Sequence, residues 1–204
     1  MLGVTDYGAF VVAFVLLLFL PGPGNLALIT STGQGGLRGG LASVMGLLVG
    51  DQILMWLTVA GVAALLQTQP TLFAALQWLG AAYLTWLGLK MWMARPGDGP
   101  SIRITPGHYF RQTMTITLLN PKALMFYFAF FPQFIDPAHH QGMLTFAWMA
   151  LTIWVLGFVY CFGVVLVTLT MARSLRARPA VTTWLNRIAG TCLIGFGLKL
   201  ALGK

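Results

Sequence analysis

The stretch Phe10-Val11-Val12-Ala13-Phe14-Val15-Leu16-Leu17-Leu18-Phe19-Leu20 runs without a polar side chain into Pro21-Gly22-Pro23-Gly24-Asn25, then resumes as Leu26-Ala27-Leu28-Ile29. A membrane helix needs about 20 mostly apolar residues, and the window 7–31 supplies them, yet its middle holds two strong helix breakers. Each proline removes a backbone donor and clashes with the carbonyl four residues back. In lipid, carbonyls freed in this way are tolerable only where protein or a water-filled cavity satisfies them. The stretch therefore reads as an interrupted membrane helix that faces a cavity.

Composition extends this reading to the whole chain. Of its 204 residues 58% are hydrophobic and only 8% charged, and the mean hydropathy is +0.82. Soluble domains carry about 25% charged residues, so this chain cannot cover a water-facing surface. Its acids are Asp6, Asp51, Asp98 and Asp136, with no glutamate. The net charge of +8 would suggest nucleic acid in a soluble protein, but the basic residues lie in short connections between apolar runs, which excludes that partner. Cys161 and Cys192 lie inside apolar segments and read as inert buried thiols. Only Asp6, and no basic residue, precedes the first run, and no small-x-small site follows Leu20; the run reads as a retained span rather than a cleaved signal.

Windows 7–31, 40–66, 71–93, 111–135, 142–172 and 181–202 each suit a transmembrane helix, so the expected fold is all-α and polytopic with six spans. The breakers between them are the Gly35–Gly39 turn, Pro70, the loop around 95–107, Asp136-Pro137 and the Arg173–Pro179 stretch. A single transporter domain, 1–204, results, with a first three-helix half (1–95), a loop (96–107) and a second half (108–204). Arg38 lies in the first connection, Lys90, Arg95, Arg103 and Arg111 at the third, and Arg173, Arg176, Arg178 and Arg187 at the fifth. The second and fourth connections hold none. The odd connections, the loop 96–107 included, should be cytoplasmic and both termini outside.

The halves resemble each other. Trp86-Leu87-Gly88-Leu89-Lys90 ends the third span and Gly195-Phe196-Gly197-Leu198-Lys199 the sixth. The break in helix one is matched by Asn120-Pro121-Lys122 in helix four. With three helices per half, the fourth must run opposite to the first, an inverted repeat in which paired interruptions point to the substrate site. Half-helix N-termini beyond such breaks offer free N–H groups to a carboxylate.

Asp51 is the one acid well inside a span, where a carboxylate is costly unless partnered or protonated. Lys122 is the one basic residue deep in a span; pairing with Asp51, meeting a substrate carboxylate and snorkelling to the interface remain open. Asn25, Asn120 and Gln133 can bond freed backbone groups or substrate. Tyr83 and Tyr127 suit a cavity wall, although membrane tyrosines more often pack or anchor. Gly36/Gly40 and Gly46/Gly50 have small-xxx-small spacing, so helix two should pack closely on a neighbour. His139 and His140 share a short outer loop, and no metal site is expected there or elsewhere.

Pro21-Gly22-Pro23, the glycine-rich turn through Gly40, Gly46 and Gly50-Asp51 resemble the first half of the lysine exporter (LysE/RhtB) family. Gly80-Ala81-Ala82-Tyr83-Leu84 with Gly88 closes that half in the same style. Asn120-Pro121-Lys122-Ala123, Phe126, Pro132-Gln133-Phe134 and Trp184-Leu185-Asn186-Arg187-Ile188-Ala189-Gly190 match in the second half. The resemblance covers nearly the whole chain, and the order and spacing of its motifs are specific. It implies a bacterial inner-membrane exporter of amino acids, not an enzyme, driven by the proton motive force and needing no cofactor. It also implies that the family's intramembrane acid falls on Asp51 and its proline motifs on Pro21/Pro23 and Pro121.

The expected substrate-binding and coupling set is Asp51, Pro21, Gly22, Pro23, Asn25, Asn120, Pro121, Lys122, Gln133 and Tyr83. Its partners would be an amino acid, protons and the bilayer, with a homodimer left open. A single carboxylate cannot both neutralise a cationic side chain and hold an α-amino group, so the substrate should be neutral or small and polar, of the threonine, homoserine or leucine type. The competing classes are a thiol-disulfide electron carrier of the related superfamily and an exporter of another small solute. The first would need cysteines that can meet, expected on helices one and four, where there are none.

Overall fold

The computed structural model describes residues 6–19, 22–68, 102–134 and 142–171, together with Val4 and scattered positions in 78–93 and 187–195. Every regular element among these residues is helical.

Helix α1 (Tyr7–Phe19) begins where the Asp6 carboxylate accepts the Ala9 N–H at 2.9 Å, an ordinary N-cap. It stops short of the Pro-Gly-Pro stretch. Helix α2 (Pro23–Thr68) opens with proline at its first position, where a missing N–H costs nothing. It reverses at Gly36, whose φ of 58° and ψ of −148° lie in a region only glycine occupies readily. The expected glycine-rich turn is thus a one-residue corner between two helical limbs. A methyl group on Gly39 would overlap the Ser31 carbonyl, so the limbs lie against each other, with the Tyr109 ring covering Gly35 and Gly39. The limb before Gly36 and α1 are each about 20 Å long, shorter than the roughly 30 Å hydrocarbon core. The limb after Gly36 is long enough to cross.

Helix α3 (Tyr109–Leu118) follows a turn at Pro106-Gly107. After Leu119 the chain restarts as α4 (Pro121–Met125), continues as a π-helical turn (Phe126–Phe130) and ends in a 3-10 turn (Phe131–Phe134). The chain carries five aromatics in 126–131 and then Pro132, which supplies no donor. Helix α5 (Met143–Met171) is about 43 Å long and also long enough to cross.

The limb of α2 after Gly36 packs on α3 through glycines. A methyl on Gly46 would overlap the Phe110 carbonyl, and one on Gly50 would lie 2.9 Å from the Thr117 side chain. Ser43 and Thr113 share a 2.7 Å hydroxyl hydrogen bond across this contact. The close approach expected from Gly46/Gly50 is therefore made, with α3 as the neighbour. An apolar cluster joins α1, α2, the π-helical and 3-10 turns and α5 through Phe10, Phe14, Met55, Phe126, Phe131 and Met149.

Polarity is inside-out. Val159, Leu151, Leu57 and Leu119 are exposed while Ser31, Thr32, Ser43, Thr58, Thr113 and Thr117 are buried. Thr32, Thr58 and Thr117 donate to carbonyls four residues back in their own helices, at 2.7–3.0 Å. Apolar groups outside and self-satisfied hydroxyls inside are what a lipid solvent selects.

The windows 71–93 and 181–202, expected as the third and sixth spans, lie mostly outside the described residues. Trp78, Trp86, Lys90 and Trp92 are helical, as are Arg187, Thr191 and Ile194. The Arg187 guanidinium carbon lies 5.8 Å from the Trp92 ring centroid, which brings the end of one window against the start of the other.

Candidate functional site

Where α1 stops, its last carbonyls have no helical donors. Two side chains supply them. The Asn25 amide donates to the Leu18 carbonyl at 2.9 Å and to the Tyr160 hydroxyl at 3.2 Å. The Lys122 ammonium donates to the Leu17 carbonyl at 3.1 Å. Lys122 belongs to the second interruption and Leu17 to the edge of the first, so the two breaks meet in space.

The second break is capped locally. The Asn120 carboxamide oxygen accepts the Lys122 N–H at 3.1 Å, and Pro121 takes the first helical position. This fixes the direction of α4 and holds Lys122 one turn from the break, aimed at α1.

Asp51, on α2, is half-buried and faces this junction. Its carboxyl lies within electrostatic reach of the Lys122 ammonium and opposite the Tyr127 hydroxyl. The Cys161 thiol, buried and in no disulfide, shares the same field. Around these groups the walls are apolar: Phe14 and Leu17 from α1, Leu54 and Met55 from α2, Ala123 from α4 and Phe126 from the π-helical turn. Tyr127 itself is 0% exposed, and its hydroxyl closes no hydrogen bond of ordinary length. An unsatisfied buried hydroxyl costs about 1–3 kcal/mol, so a position that keeps one needs a reason.

The structure thus brings together Asn25, Asp51, Asn120 and Lys122 of the residues singled out in the sequence, while Gly22 and Pro23 are placed at the first break by their backbones. Asn25 and Lys122 hold backbone carbonyls, and Asn120 holds the start of α4. Pro121 and Gln133 are placed by their backbones, in α4 and the 3-10 turn; their side chains lie outside the description. Pro21 and Tyr83 lie outside the described residues, as do His139 and His140. The unsatisfied Tyr127 hydroxyl and the Tyr160–Asn25 bond were not legible in the sequence. The one signal for Tyr127 was its place, five residues after Lys122 in an otherwise purely aromatic and aliphatic run.

Chemically, the described residues of the junction offer the Asp51 carboxyl, the Lys122 ammonium, the Asn25 amide and the Tyr127 hydroxyl inside an apolar wall, with the Asn120 amide engaged in capping α4. An α-amino acid presents the complementary pair, an ammonium and a carboxylate, on one carbon.

Residues 15–204 match the model of the LysE type translocator family. The chain is 34% identical over 203 residues to a leucine efflux protein of Klebsiella pneumoniae, covering 98% of this chain and 96% of the relative. It is 33% identical over 204 residues to a leucine efflux protein of Salmonella choleraesuis, with the same coverage. An uncharacterized membrane protein of Pseudomonas aeruginosa is 33% identical over 208 residues, again across 98% of this chain and 96% of its own length. No solved structure matches the chain.

Proposed function

Since the chain belongs to the LysE type translocator family, we propose that it exports a neutral amino acid across the bacterial inner membrane in exchange for protons, from a site at the junction of its two helix breaks. The observation that carries this reading is the bond from Lys122, beside the second break, to Leu17, at the edge of the first, with Asp51 facing both. The names of the leucine efflux relatives support an amino acid with an apolar side chain. So does the wall of Phe14, Leu54, Met55 and Phe126 around the charged groups.

In this reading Asp51 receives the substrate ammonium and the Tyr127 oxygen accepts a second of its three N–H bonds. The substrate carboxylate competes for Lys122 and Asn25, which exchange the Leu17 and Leu18 carbonyls for it. Substrate binding thereby releases the end of α1 from α4, and a contact that ties the two halves together becomes conditional on the cargo. Once the substrate leaves, Asp51 takes up a proton rather than remaining charged in an apolar wall. One carboxylate that holds either an ammonium or a proton is sufficient for obligatory exchange. The six-span inverted-repeat arrangement, with odd connections cytoplasmic and both termini outside, belongs to the same proposal. It makes the junction reachable in turn from each side.

The test is efflux from proteoliposomes loaded in turn with leucine, threonine, homoserine, lysine and arginine, with and without an imposed proton gradient. Gradient-dependent efflux of the neutral substrates is expected. Strong selectivity for lysine or arginine, or indifference to the gradient, would overturn the reading.

A further inference from the structure

A second site stands apart from that junction. A cavity of about 400 Å³ opens at the N-terminal end of α3, lined by Arg103, His108, Arg111, Gln112, Thr115 and Ile116. Its shape is set by the backbone. The Thr105 N–H donates to the Gln112 side chain at 2.9 Å, and the His108 N–H to the Thr105 carbonyl at 3.2 Å. Ile104, 5% exposed, anchors the intervening loop. Two guanidiniums and an imidazole, all on exposed residues, therefore line one open volume at a loop whose backbone is fixed. No side chain caps the start of α3, so its first-turn N–H groups add to the same positive field. Of the acids, the described ones, Asp6 and Asp51, stand at the start of α1 and inside α2, so no described carboxylate answers these charges.

The lining changes character along the helix. His108, Arg111, Gln112, Thr115 and Ile116 share one face of α3, and Leu119, 73% exposed, continues it. The positive end lies at the loop, and the apolar end runs toward the span. A ligand that fits both ends carries a phosphate at one end and hydrocarbon at the other. We propose that this cavity binds the phosphate headgroup of an anionic phospholipid, with an acyl chain lying along Thr115, Ile116 and Leu119. Basic pockets at a cytoplasmic membrane boundary take such headgroups, and the loop 96–107 that supplies Arg103 is the one expected on that side. A soluble phosphate would use the same cations and ignore the apolar face.

The full-length protein in a neutral detergent is titrated with phosphatidylglycerol, with phosphatidylcholine or with inorganic phosphate, and the rise in its thermal unfolding midpoint gives an apparent affinity. Phosphatidylglycerol should raise the midpoint and phosphatidylcholine should not. Arg103→Gln with Arg111→Gln should keep the wild-type midpoint without lipid and bind phosphatidylglycerol about 30-fold more weakly, about fivefold for each charge removed. Arg38→Gln removes an exposed charge from the same end of the bundle, beside the glycines that Tyr109 covers, and should leave the affinity unchanged. Equal weakening by Arg38→Gln would reduce the effect to bulk charge and overturn the site. Undiminished phosphatidylglycerol binding in the double variant would overturn it too. A midpoint rise with inorganic phosphate alone would overturn the lipid assignment in favour of a soluble anion.

Discussion

Replacing Tyr127 with phenylalanine separates a structural role from a functional one. The ring is fully buried among aromatics: its centroid lies 5.3 Å from that of Phe126 at 82°, and 6.4 Å from that of Phe131. Phenylalanine preserves those contacts. What it removes is a hydroxyl that faces the Asp51 carboxyl but closes no hydrogen bond of ordinary length, and an incompletely satisfied buried hydroxyl costs about 1–3 kcal/mol. Folding should therefore be unharmed or improved, by up to that amount. Transport should move the other way. If the hydroxyl accepts a hydrogen bond from a substrate ammonium, its loss is worth about 1.5–3 kcal/mol, a rise in KM of roughly tenfold to a hundredfold. The assay pairs thermal unfolding in detergent with proteoliposome efflux measured over a range of internal leucine concentrations. A destabilised variant with wild-type KM would refute the reasoning, because the hydroxyl would then have a structural partner and no substrate.

Further outcomes follow from other contacts. Gly46→Ala should lower the unfolding midpoint by the equivalent of about 1–3 kcal/mol, since the methyl meets the Phe110 carbonyl; Gly61→Ala, with nothing within 4 Å of the new methyl, should leave it unchanged in the same scan. Asp51→Asn should fold, as judged by gel-filtration profile and midpoint, yet lose gradient-driven efflux. Recovery of full efflux in Asp51→Asn combined with Lys122→Gln would show instead that the pair is purely structural. Lys122→Met alone should lower the unfolding midpoint by the equivalent of about 1–3 kcal/mol, because it strips the Leu17 carbonyl of its donor. Single cysteines in the loops 96–107 and 136–141 should label from the cytoplasmic and outer faces respectively, and the reverse pattern would invert the assigned orientation.

The positions of the helix breaks were legible because proline and glycine act locally: a missing donor at 121, or a backbone that needs positive φ at Gly36, follows from one residue and its neighbours. The glycine stripe was equally readable, since spacing alone puts Gly46 and Gly50 on one face. What Lys122 does was left open between three readings, and the observed one combines electrostatic reach to Asp51 with a bond to a carbonyl 105 residues away. No local rule could select that carbonyl, because it depends on how α1 and α4 pack. Tyr127 shows the same gap. A tyrosine in an aromatic run looks like packing, and only the finished interior reveals that its hydroxyl faces the Asp51 carboxyl without closing a bond of ordinary length.

The bond between Lys122 and Leu17 also constrains how the chain is made. When residues 7–31 enter the membrane, the carbonyl of Leu17 already lacks its helical donor, and the lysine that will satisfy it has not yet been translated. Until α4 emerges, the end of α1 must stay hydrated or borrow a temporary donor. The chain before residue 96 is thus an unfinished object by itself, and assembly is completed by the later residues arriving rather than by two finished modules docking. Split between residues 95 and 108, the two fragments should mature only when co-expressed, each serving as the other's missing solvent.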